Sequence, residues 1–545
     1  MRRVPVVLAL VLCLVLRVSA DDAPDRGMVD RIKAEAFDRS QVVEILRNLT
    51  DVHGPRLTAS PQFDRAAEWA MARLKRCGLA NVHLEAWGPF GRSWEATRYS
   101  VEQLEPTYVQ LDAAPLAWSA ATSSPVEGTP LLAPLNVSFK RGPKRMASDF
   151  ETFKKTWSGK LRGRILLLTA DRPETSLEAV PFSRLTSAQL EKLETAPEPT
   201  KRVEVATIDD LPWPESEEEL GKQFMAMSAD TIDRVIDRFD ALAAARGTWF
   251  ASEGVAAILA ADERAREGLT AGEAAGSYKS ADPLTPPTFV VTSEQYGRIA
   301  RLVEHKEPVR VRIALETHVS DADVDAHNVI AEIPGGARKD EVIMIGAHFD
   351  SWHTGTGATD NGAGSAVMIE VMRILKTLGL RLDRTIRLGL WSGEEQGLLG
   401  SRAYVAAHFG TPGANADKPE YATLSGYFNL DNGAGRIRGV YLQRHDAMRP
   451  IFEQWLAPFR DLGVTTISIR DTGGTDHLSF TAVGLPGFQF VQDPLDYGSV
   501  THHTSADTLE HAPASDLMQA AAVIASVVYQ AANRPERLPR RPPPN

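Results

Sequence analysis

The residues best suited to chemistry lie in five short motifs in the C-terminal half of the chain. Each motif combines a histidine or carboxylate side chain with small neighbours. Imidazole and carboxylate groups are ligands that zinc takes in catalytic sites. The motifs are GAHFDSW (346–352), GATDNGAG (357–364), WSGEEQG (391–397), NLDNGAG (429–435) and THHTSADT (501–508).

His348 and Asp350 follow the apolar run EVIMIGA, which is typical of a buried strand. In an extended chain, residues i and i+2 face the same side. His348 can therefore bind a metal through one ring nitrogen while Asp350 accepts a hydrogen bond from the other, which fixes the tautomer. Taken alone, the pair is more often a hydrogen-bonded histidine at a strand end.

Asp360 lies among small residues just before a predicted helix. Glycine neighbours let the backbone approach an ion closely, and one aspartate can give an oxygen to each of two metals about 3.5–4 Å apart. A helix N-cap is the alternative interpretation. The absence of GK[ST] after the glycines argues against a phosphate-binding loop.

Glu394 and Glu395 come at the end of the predicted strand TIRLGLWS. Adjacent residues of a strand point to opposite sides, so one glutamate can bind a metal while the other removes a proton from an activated water. A solvated acidic pair at the start of a helix is equally typical of this pattern.

Asp431 and His503 complete the set, although a turn aspartate and a loop histidine are the alternatives. Asp507 is the expected partner of His503, and His502 is a second candidate ligand. Taken together, the motifs predict two zinc ions with five ligands and a separate base. HExxH, GxSxG and a cysteine cluster are all missing from the sequence, which argues against single-zinc and serine hydrolases.

The elements around these motifs alternate between strand and helix from about Ala326 onward. This alternation predicts an α/β fold in which a mostly parallel central sheet carries helices on both faces. Active sites of such sheets lie beyond the carboxyl ends of the strands. The candidate ligands follow predicted strands, as this rule requires.

Composition shifts divide the chain further. Between 107 and 295, proline and glycine punctuate short strand-like and acidic helical stretches, and no catalytic group appears, which indicates an inserted domain. Residues 21–40 are polar and predicted to be loose. The predicted divisions are a signal peptide (1–20), the N-terminal part of the catalytic domain (21–106), the insert (107–295), the main catalytic domain (296–533) and a disordered Pro-rich tail (534–545).

The N-terminus has the pattern of a secretory signal, with Arg2 and Arg3 before an apolar run and small residues ending at Ala20. We therefore expect a secreted or periplasmic protein, cleaved near Ala20 and free of the membrane, with an uncleaved anchor as the alternative. The net charge of −11, from 60 basic and 71 acidic residues, does not favour nucleic acid as a partner. Cys77 alone would remain after cleavage, so no internal disulfide is expected.

The five motifs, together with GGTDHLSF (473–480), resemble the co-catalytic dizinc exopeptidases. This family includes bacterial leucyl aminopeptidases, transferrin-receptor-like proteins and glutaminyl cyclases, and the motifs most resemble its carboxypeptidase Q branch. The resemblance covers about 300–530 closely, and more weakly implies that 107–295 is a protease-associated-like insert.

The resemblance also implies a role for each site residue. His348 and Asp431 would hold one zinc, Glu395 and His503 would hold the other, and Asp360 would bridge them. Glu394 would be the general base, Asp350 the partner of His348, and the Asp360–Asn361 peptide cis. Asp476 and His477 would lie outside the ligand shell.

One difference between this sequence and the family pattern concerns the residue after Asp360, and it bears on the choice of substrate. The carboxypeptidase Q branch usually has two acidic residues at the bridging position, whereas here Asn361 follows Asp360. The resemblance implies a zinc exopeptidase acting on peptides, with aminopeptidase favoured over a carboxypeptidase Q-like dipeptidase. The alternatives are a single-zinc glutaminyl cyclase and a receptor-like binding module, and both lack the complete ligand set found here. The insert could narrow the cleft for short peptides or mediate a homodimer.

Overall fold

The structure is a computed structural model that describes most of the chain. The described residues are 23–169, 182–199, 205–214, 219–220, 223, 227, 229–262, 268–320, 322–412 and 418–541. The predicted signal peptide lies outside them.

Helices and strands alternate through much of the described chain. The helices are α1 (Arg26–Asp38), α2 (Val42–Arg47), α3 (Pro61–Arg76), α4 (Gly142–Trp157), α5 (Ser187–Glu194), α6 (Ala229–Glu253), α7 (Ser293–Glu304), α8 (Ala363–Thr377), α9 (Leu399–His408), α10 (Arg449–Leu456), α11 (His477–Ala482) and α12 (Ala514–Asn533). The strands are β1 (Ala80–Gly91), β2 (Trp94–Glu105), β3 (Val109–Gln110), β4 (Ala113–Pro115), β5 (Val126–Gly128), β6 (Leu131–Leu135), β7 (Ile165–Thr169), β8 (Ala257–Ala260), β9 (Thr288–Val291), β10 (Arg310–Val319), β11 (Val324–Ile333), β12 (Arg338–His348), β13 (Arg384–Trp391), β14 (Leu424–Asn429), β15 (Ile437–Tyr441), β16 (Thr466–Ser468) and β17 (Gly487–Gln492).

The central sheet has eight strands in the order β1-β11-β13-β12-β14-β17-β15-β16. Its middle strands, β13, β12, β14 and β17, run parallel to one another. The β1–β11, β11–β13 and β15–β17 pairs are antiparallel. The predicted α/β fold with a mostly parallel centre is confirmed, and the parallel strands bring their carboxyl ends to one edge.

Each face of the sheet is covered by its own apolar core. On β12, Ile343 and Ile345 face one core together with residues of α1, α2, α8 and α12. Val342 and Met344, one residue out of step, face a second core with residues of α9 and α11. This alternation follows from the period of two along a strand. Burial on both faces explains why the strand is a continuous apolar run.

Two smaller sheets lie beside the central one. The five-stranded sheet, in the order β4-β9-β8-β7-β6, is formed within residues 113–291. The four-stranded sheet, β3-β2-β10-β5, is antiparallel and takes β2 and β10 from either side of that segment. Residues of both sheets share one apolar core with α7. The likeness of this region to a protease-associated domain, and its exact limits, stay predictions.

Two terminal regions differ from the sequence-based expectation. Residues 26–38 of the segment predicted to be loose form α1, whose apolar residues Val29, Ile32 and Ala36 are buried. The predicted disordered tail is docked up to residue 541. Leu538 is buried in the main core, and Arg540 donates to the carbonyl oxygens of Tyr421 and Leu424. In both segments single apolar residues stand among charged ones, so the sequence does not indicate that these segments pack against the core. Residues 542–545 lie outside the described residues.

Candidate metal centre

The predicted site residues meet at the carboxyl edge of the parallel strands. His348 is the last residue of β12, and Asp431 follows β14 by two residues. Asp360 lies just before α8, in the 358–362 turn. Glu394 and Glu395 lie in a turn three residues beyond the end of β13, rather than on the strand as we predicted. All are at most about one-tenth exposed as side chains.

Three carboxylates surround one nitrogen of His348. Its Nε2 atom lies 3.3 Å from Asp360 Oδ1, 3.5 Å from Asp431 Oδ1 and 3.9 Å from Glu394 Oε2. The opposite nitrogen, Nδ1, is 3.1 Å from the main-chain oxygen of Asp350 and 3.4 Å from its carboxylate Oδ1. Nδ1 of His348 thus faces Asp350 as expected, but its hydrogen bond goes to the main-chain oxygen and not to the carboxylate. This contact directs Nε2 toward the three carboxylates.

A second group forms around His503. Its Nε2 atom lies 3.0 Å from Glu395 Oε2 and 3.3 Å from Asp360 Oδ2. His502 is farther away, at 3.8 Å from the same Asp360 oxygen, and its side chain is 40% exposed. Asp360 thus turns one oxygen toward each histidine, as a bridging ligand must, and its peptide bond to Asn361 is cis as predicted.

The donor set fits zinc in number, type and spacing. His348 Nε2, Asp360 Oδ2 and Glu395 Oε1 are buried without a hydrogen-bond partner among the described residues. Such atoms are costly unless an ion satisfies them. In a tetrahedral zinc site with bonds of about 2.0–2.1 Å, neighbouring ligand atoms lie roughly 3.3 Å apart. The 3.0–3.5 Å separations around His348 and His503 match this spacing.

A segment near the N-terminus supports the site through hydrogen bonds made by Thr58. Thr58 Oγ1 donates to Asp350 Oδ2 at 2.7 Å and accepts from the backbone N–H of Gly393 at 2.9 Å. The N–H of Glu395 also points at Asp350 Oδ2, at 3.4 Å. Asp350 therefore connects the His348 strand to the glutamate turn.

Arg56 is fully buried beside the site, and its guanidinium donates to backbone carbonyls. Its guanidinium reaches the oxygens of Leu49, Phe349, Thr356 and Gly357 at 2.7–3.0 Å. Burial lowers the pKa of Arg56 to about 10, and the nearby carboxylates oppose that shift. It remains a cation at neutral pH and holds the loop that leads to Asp360.

Asp507 has a different role from the one we predicted. Its Oδ1 accepts from the N–H and the hydroxyl of Thr359, at 2.6 and 2.7 Å, and its Oδ2 lies 3.3 Å from the N–H of Asp360. Asp507 therefore fixes the backbone at Thr359 and Asp360. The prediction that it orients His503 is wrong, because the chain turns at Thr504 and carries its carboxylate toward the 356–360 loop.

Glu273 contacts His503 instead. Its Oε1 lies 2.9 Å from His503 Nδ1, across 230 positions of sequence. Neither Glu273 nor Arg56 stands in a metal-site motif, so no local signal in the sequence marks either residue. Only the tertiary fold brings them to the site.

Burial controls the ionisation of the two adjacent glutamates. It raises the pKa of Glu394 well above its ordinary value, with His348 opposing and Asp431 and Asp476 adding to the shift. Burial also raises the pKa of Glu395 to about 7, with Asp360 adding and His503 opposing. Asp360 behaves in the opposite way: burial favours its neutral form, but the adjacent imidazoles of His348 and His503 lower its pKa well below the usual value.

Asp476 is a buried acid with little hydrogen bonding. It is completely buried, and its carboxylate oxygens make no hydrogen bond of good geometry among the residues that the structure covers. Burial raises its pKa to about 7; Asp431 adds to this shift, while His348 and the Ser401 hydroxyl oppose it. His477 beside it is also buried, which lowers its pKa to about 4. The two predicted outer residues thus adjoin the site, His477 as a neutral imidazole and Asp476 as an acid whose charged form is disfavoured.

Comparisons with known proteins agree with this geometry. Residues 328–528 match the family model described as Peptidase family M28. Carboxypeptidase Q of Bos taurus is 27% identical over 501 residues, which cover 91% of this chain and 86% of that protein.

Two solved structures share the fold. The Peptidase M28 precursor from Shewanella amazonensis SB2B is 23% identical with a TM-score of 0.63, covering 95% of this chain and 99% of that chain. BSAP, a zinc aminopeptidase from Bacillus subtilis, is 17% identical with a TM-score of 0.52, covering 90% and 94%. At these identities the two structures support the fold alone.

The raised pKa of Asp476 predicts how Asp476→Asn changes stability in the metal-free protein. Between about pH 4 and 7 the folded chain keeps a proton that the unfolded chain releases, so this acid destabilises the fold progressively as pH rises. Asparagine does not titrate. The variant should therefore gain about 2–3 kcal/mol of unfolding free energy relative to the original protein between pH 5 and 7.5.

Urea unfolding at the two pH values, after chelation of metal, measures this difference. Exposed Asp340→Asn is the matched control and should show no such gain. An Asp476→Asn difference that stays constant with pH would contradict the assignment.

Proposed function

We propose that the protein is a zinc-dependent exopeptidase, because residues 328–528 match the family model described as Peptidase family M28. An aminopeptidase that removes N-terminal residues from peptides is the activity we favour. The observation that carries the proposal is the position of Asp360 between His348 and His503, with Glu394 beside the first histidine. An aspartate with a purely structural role would not require a largely buried histidine beside each of its two carboxylate oxygens.

We assign two zinc ions to this centre. His348 and Asp431 would hold the first, Glu395 and His503 the second, and Asp360 would bridge them. The buried, unpaired ligand atoms and the 3.0–3.5 Å spacings support this assignment. Zinc, when bound, supplies Lewis-acid activation of water and of the peptide carbonyl.

Glu394 would move the proton. Its carboxylate lies at the edge of the His348 group and away from the His503 pair, so it is free of the ligand role given to Glu395. Glu394 takes a proton from the attacking water and returns it to the amine nitrogen as the C–N bond breaks.

The remaining residues would hold these groups in place. Asp350 orients His348 through Nδ1, and Thr58 holds Asp350. Asp507 and Arg56 fix the loop on either side of Asp360. Since small misplacements of reacting groups cost much of the rate, this support belongs to the proposed activity.

A carboxypeptidase Q-like dipeptidase is the second candidate. The observation that favours it is the similarity to carboxypeptidase Q over nine-tenths of this chain.

Export by the N-terminal signal is part of either proposal. Among the described residues, we find no helix with the length and apolar character that a bilayer span requires.

Glu394→Gln should abolish turnover while zinc binding is retained. Glutamine keeps the size of the side chain but cannot take a proton, so kcat should fall by about 10²–10⁴-fold. Zinc content by mass spectrometry and kcat on a cleaved peptide measure the two effects. Exposed Glu453→Gln, in the same domain, is the control and should match the original protein. Near-native kcat in Glu394→Gln with full zinc content would refute the assignment.

A substrate panel distinguishes the two candidates. We expect hydrolysis of leucine anilide and of free dipeptides, and no hydrolysis of N-acetylated dipeptides, because an aminopeptidase requires a free N-terminus. Cleavage of free dipeptides without cleavage of the anilide would instead support the dipeptidase. A protein that binds no zinc and cleaves none of the panel would contradict both.

A further inference from the structure

A short segment of the region between β8 and β9 pairs with the loop that carries His503. The N–H of Ser505 donates to the Thr270 oxygen at 2.8 Å, and the N–H of Gly272 donates to the His503 oxygen at 3.0 Å. Ala271 and Thr504 form an antiparallel bridge between these contacts. The backbone at His503 is therefore held by residues that precede it by more than 200 positions.

The same segment supplies the side chain that faces the outer nitrogen of His503. Glu273 Oε1 lies 2.9 Å from Nδ1, and Nε2 faces Glu395 and Asp360. A carboxylate that accepts from Nδ1 keeps the proton on that nitrogen and leaves the lone pair of Nε2 for a metal. The His503 side chain is only 14% exposed and Glu273 is 43% exposed, so the contact is partly shielded from water.

The backbone of His503 needs this external support. Its φ is +60°, in the left-handed region that residues other than glycine seldom adopt. Such a conformation persists only when the surroundings hold it. Thr354 adds a further hold, since its hydroxyl donates to the His503 oxygen at 3.1 Å.

A second contact fixes the start of the same loop. Ser183 and Leu495 form an antiparallel bridge, in which the Ser183 N–H donates to the Leu495 oxygen at 2.8 Å. Next to it, Arg184 Nη1 pairs with the buried carboxylates of Asp493 and Asp516 at 2.9 and 2.6 Å. Ser183 and Arg184 thus hold the loop near Leu495, and the segment 270–273 holds it near Thr504.

We infer that Glu273 is a positioning residue for the metal site: it orients His503 and makes the region between β2 and β10 part of the second zinc position. This inference rests on the proposed function, because it requires a metal at His503. That region would then help to build the metal site, in addition to any contact that it makes with substrate.

Zinc and cobalt binding to the full chain test the inference. After chelation, Glu273→Ala should bind one of the two zinc ions about 10–100-fold more weakly in competition with a chromophoric chelator, while the other ion keeps its affinity. The visible spectrum of the cobalt-loaded protein should change for one metal equivalent only. Glu273→Gln should be intermediate, because its amide oxygen can still accept from Nδ1 but carries no charge. Exposed Glu294→Gln, on α7, is the control and should not differ from the original protein.

Two results would overturn the inference, and they are distinguishable. If the original protein binds two metals and cleaves peptides, and both Glu273 variants bind both metals with unchanged affinity and spectrum, Glu273 has no positioning role. If the original protein binds no zinc and cleaves no peptide, the proposed function fails and this inference fails with it. Should Glu273→Ala not fold, Glu273→Gln, which keeps the side-chain volume, decides between loss and retention of affinity.

Discussion

The concentration of buried carboxylates at one edge of the sheet is the constraint on which the rest of the site depends. Asp350, Asp360, Glu394, Glu395 and Asp431 converge on two histidines with almost no exposure to water. Ionised groups at this density repel one another and lose their hydration, which would destabilise the fold unless positive charge is supplied. Arg56 supplies one buried charge from below. Two zinc ions would supply further positive charge. Burial, together with the neighbouring carboxylates, raises the pKa values of Glu394 and Glu395.

The architecture explains how such a cluster is built. Parallel strands end at the same edge, so β12, β13 and β14 deliver His348, the glutamate turn and Asp431 to one place. Burial of both faces gives the strands a rigid setting in which their ends are fixed. Around this frame the chain adds local supports: Asp350 for His348, Asp507 for Asp360 and Glu273 for His503. Each proposed ligand histidine therefore has an oxygen on the nitrogen that faces away from the cluster.

Much of this arrangement could be predicted from local sequence. His348, Asp360 and Asp431 follow apolar strand patterns or precede a helix pattern, and the order of the motifs suggested both the parallel sheet and the edge where they meet. The cis peptide after Asp360 was implied by family resemblance. Segments in which apolar and charged residues are interspersed were harder to predict. In α1, apolar positions stand among charged ones, and the buried Glu35 pairs with Arg373 at 2.7 Å.

Contacts across long stretches of sequence could not be predicted. Arg56 lies in a Gly-Pro loop about 300 positions from three of the four carbonyls that it holds, and its type suggests a surface residue. Glu273 is likewise far from His503 in sequence, by 230 positions. The neighbours of Asp507 depend on how the 501–508 loop turns. These residues act through the tertiary fold, whereas the ligands are marked by motifs of a few residues.

Anomalous diffraction from crystals of the zinc-loaded protein, recorded on both sides of the zinc absorption edge, tests the central claim most directly. The account predicts two zinc peaks about 3.5–4 Å apart, one beside His348 and Asp431 and the other beside His503 and Glu395, with Asp360 between them. A single peak, or peaks that do not contact Asp360, would contradict it.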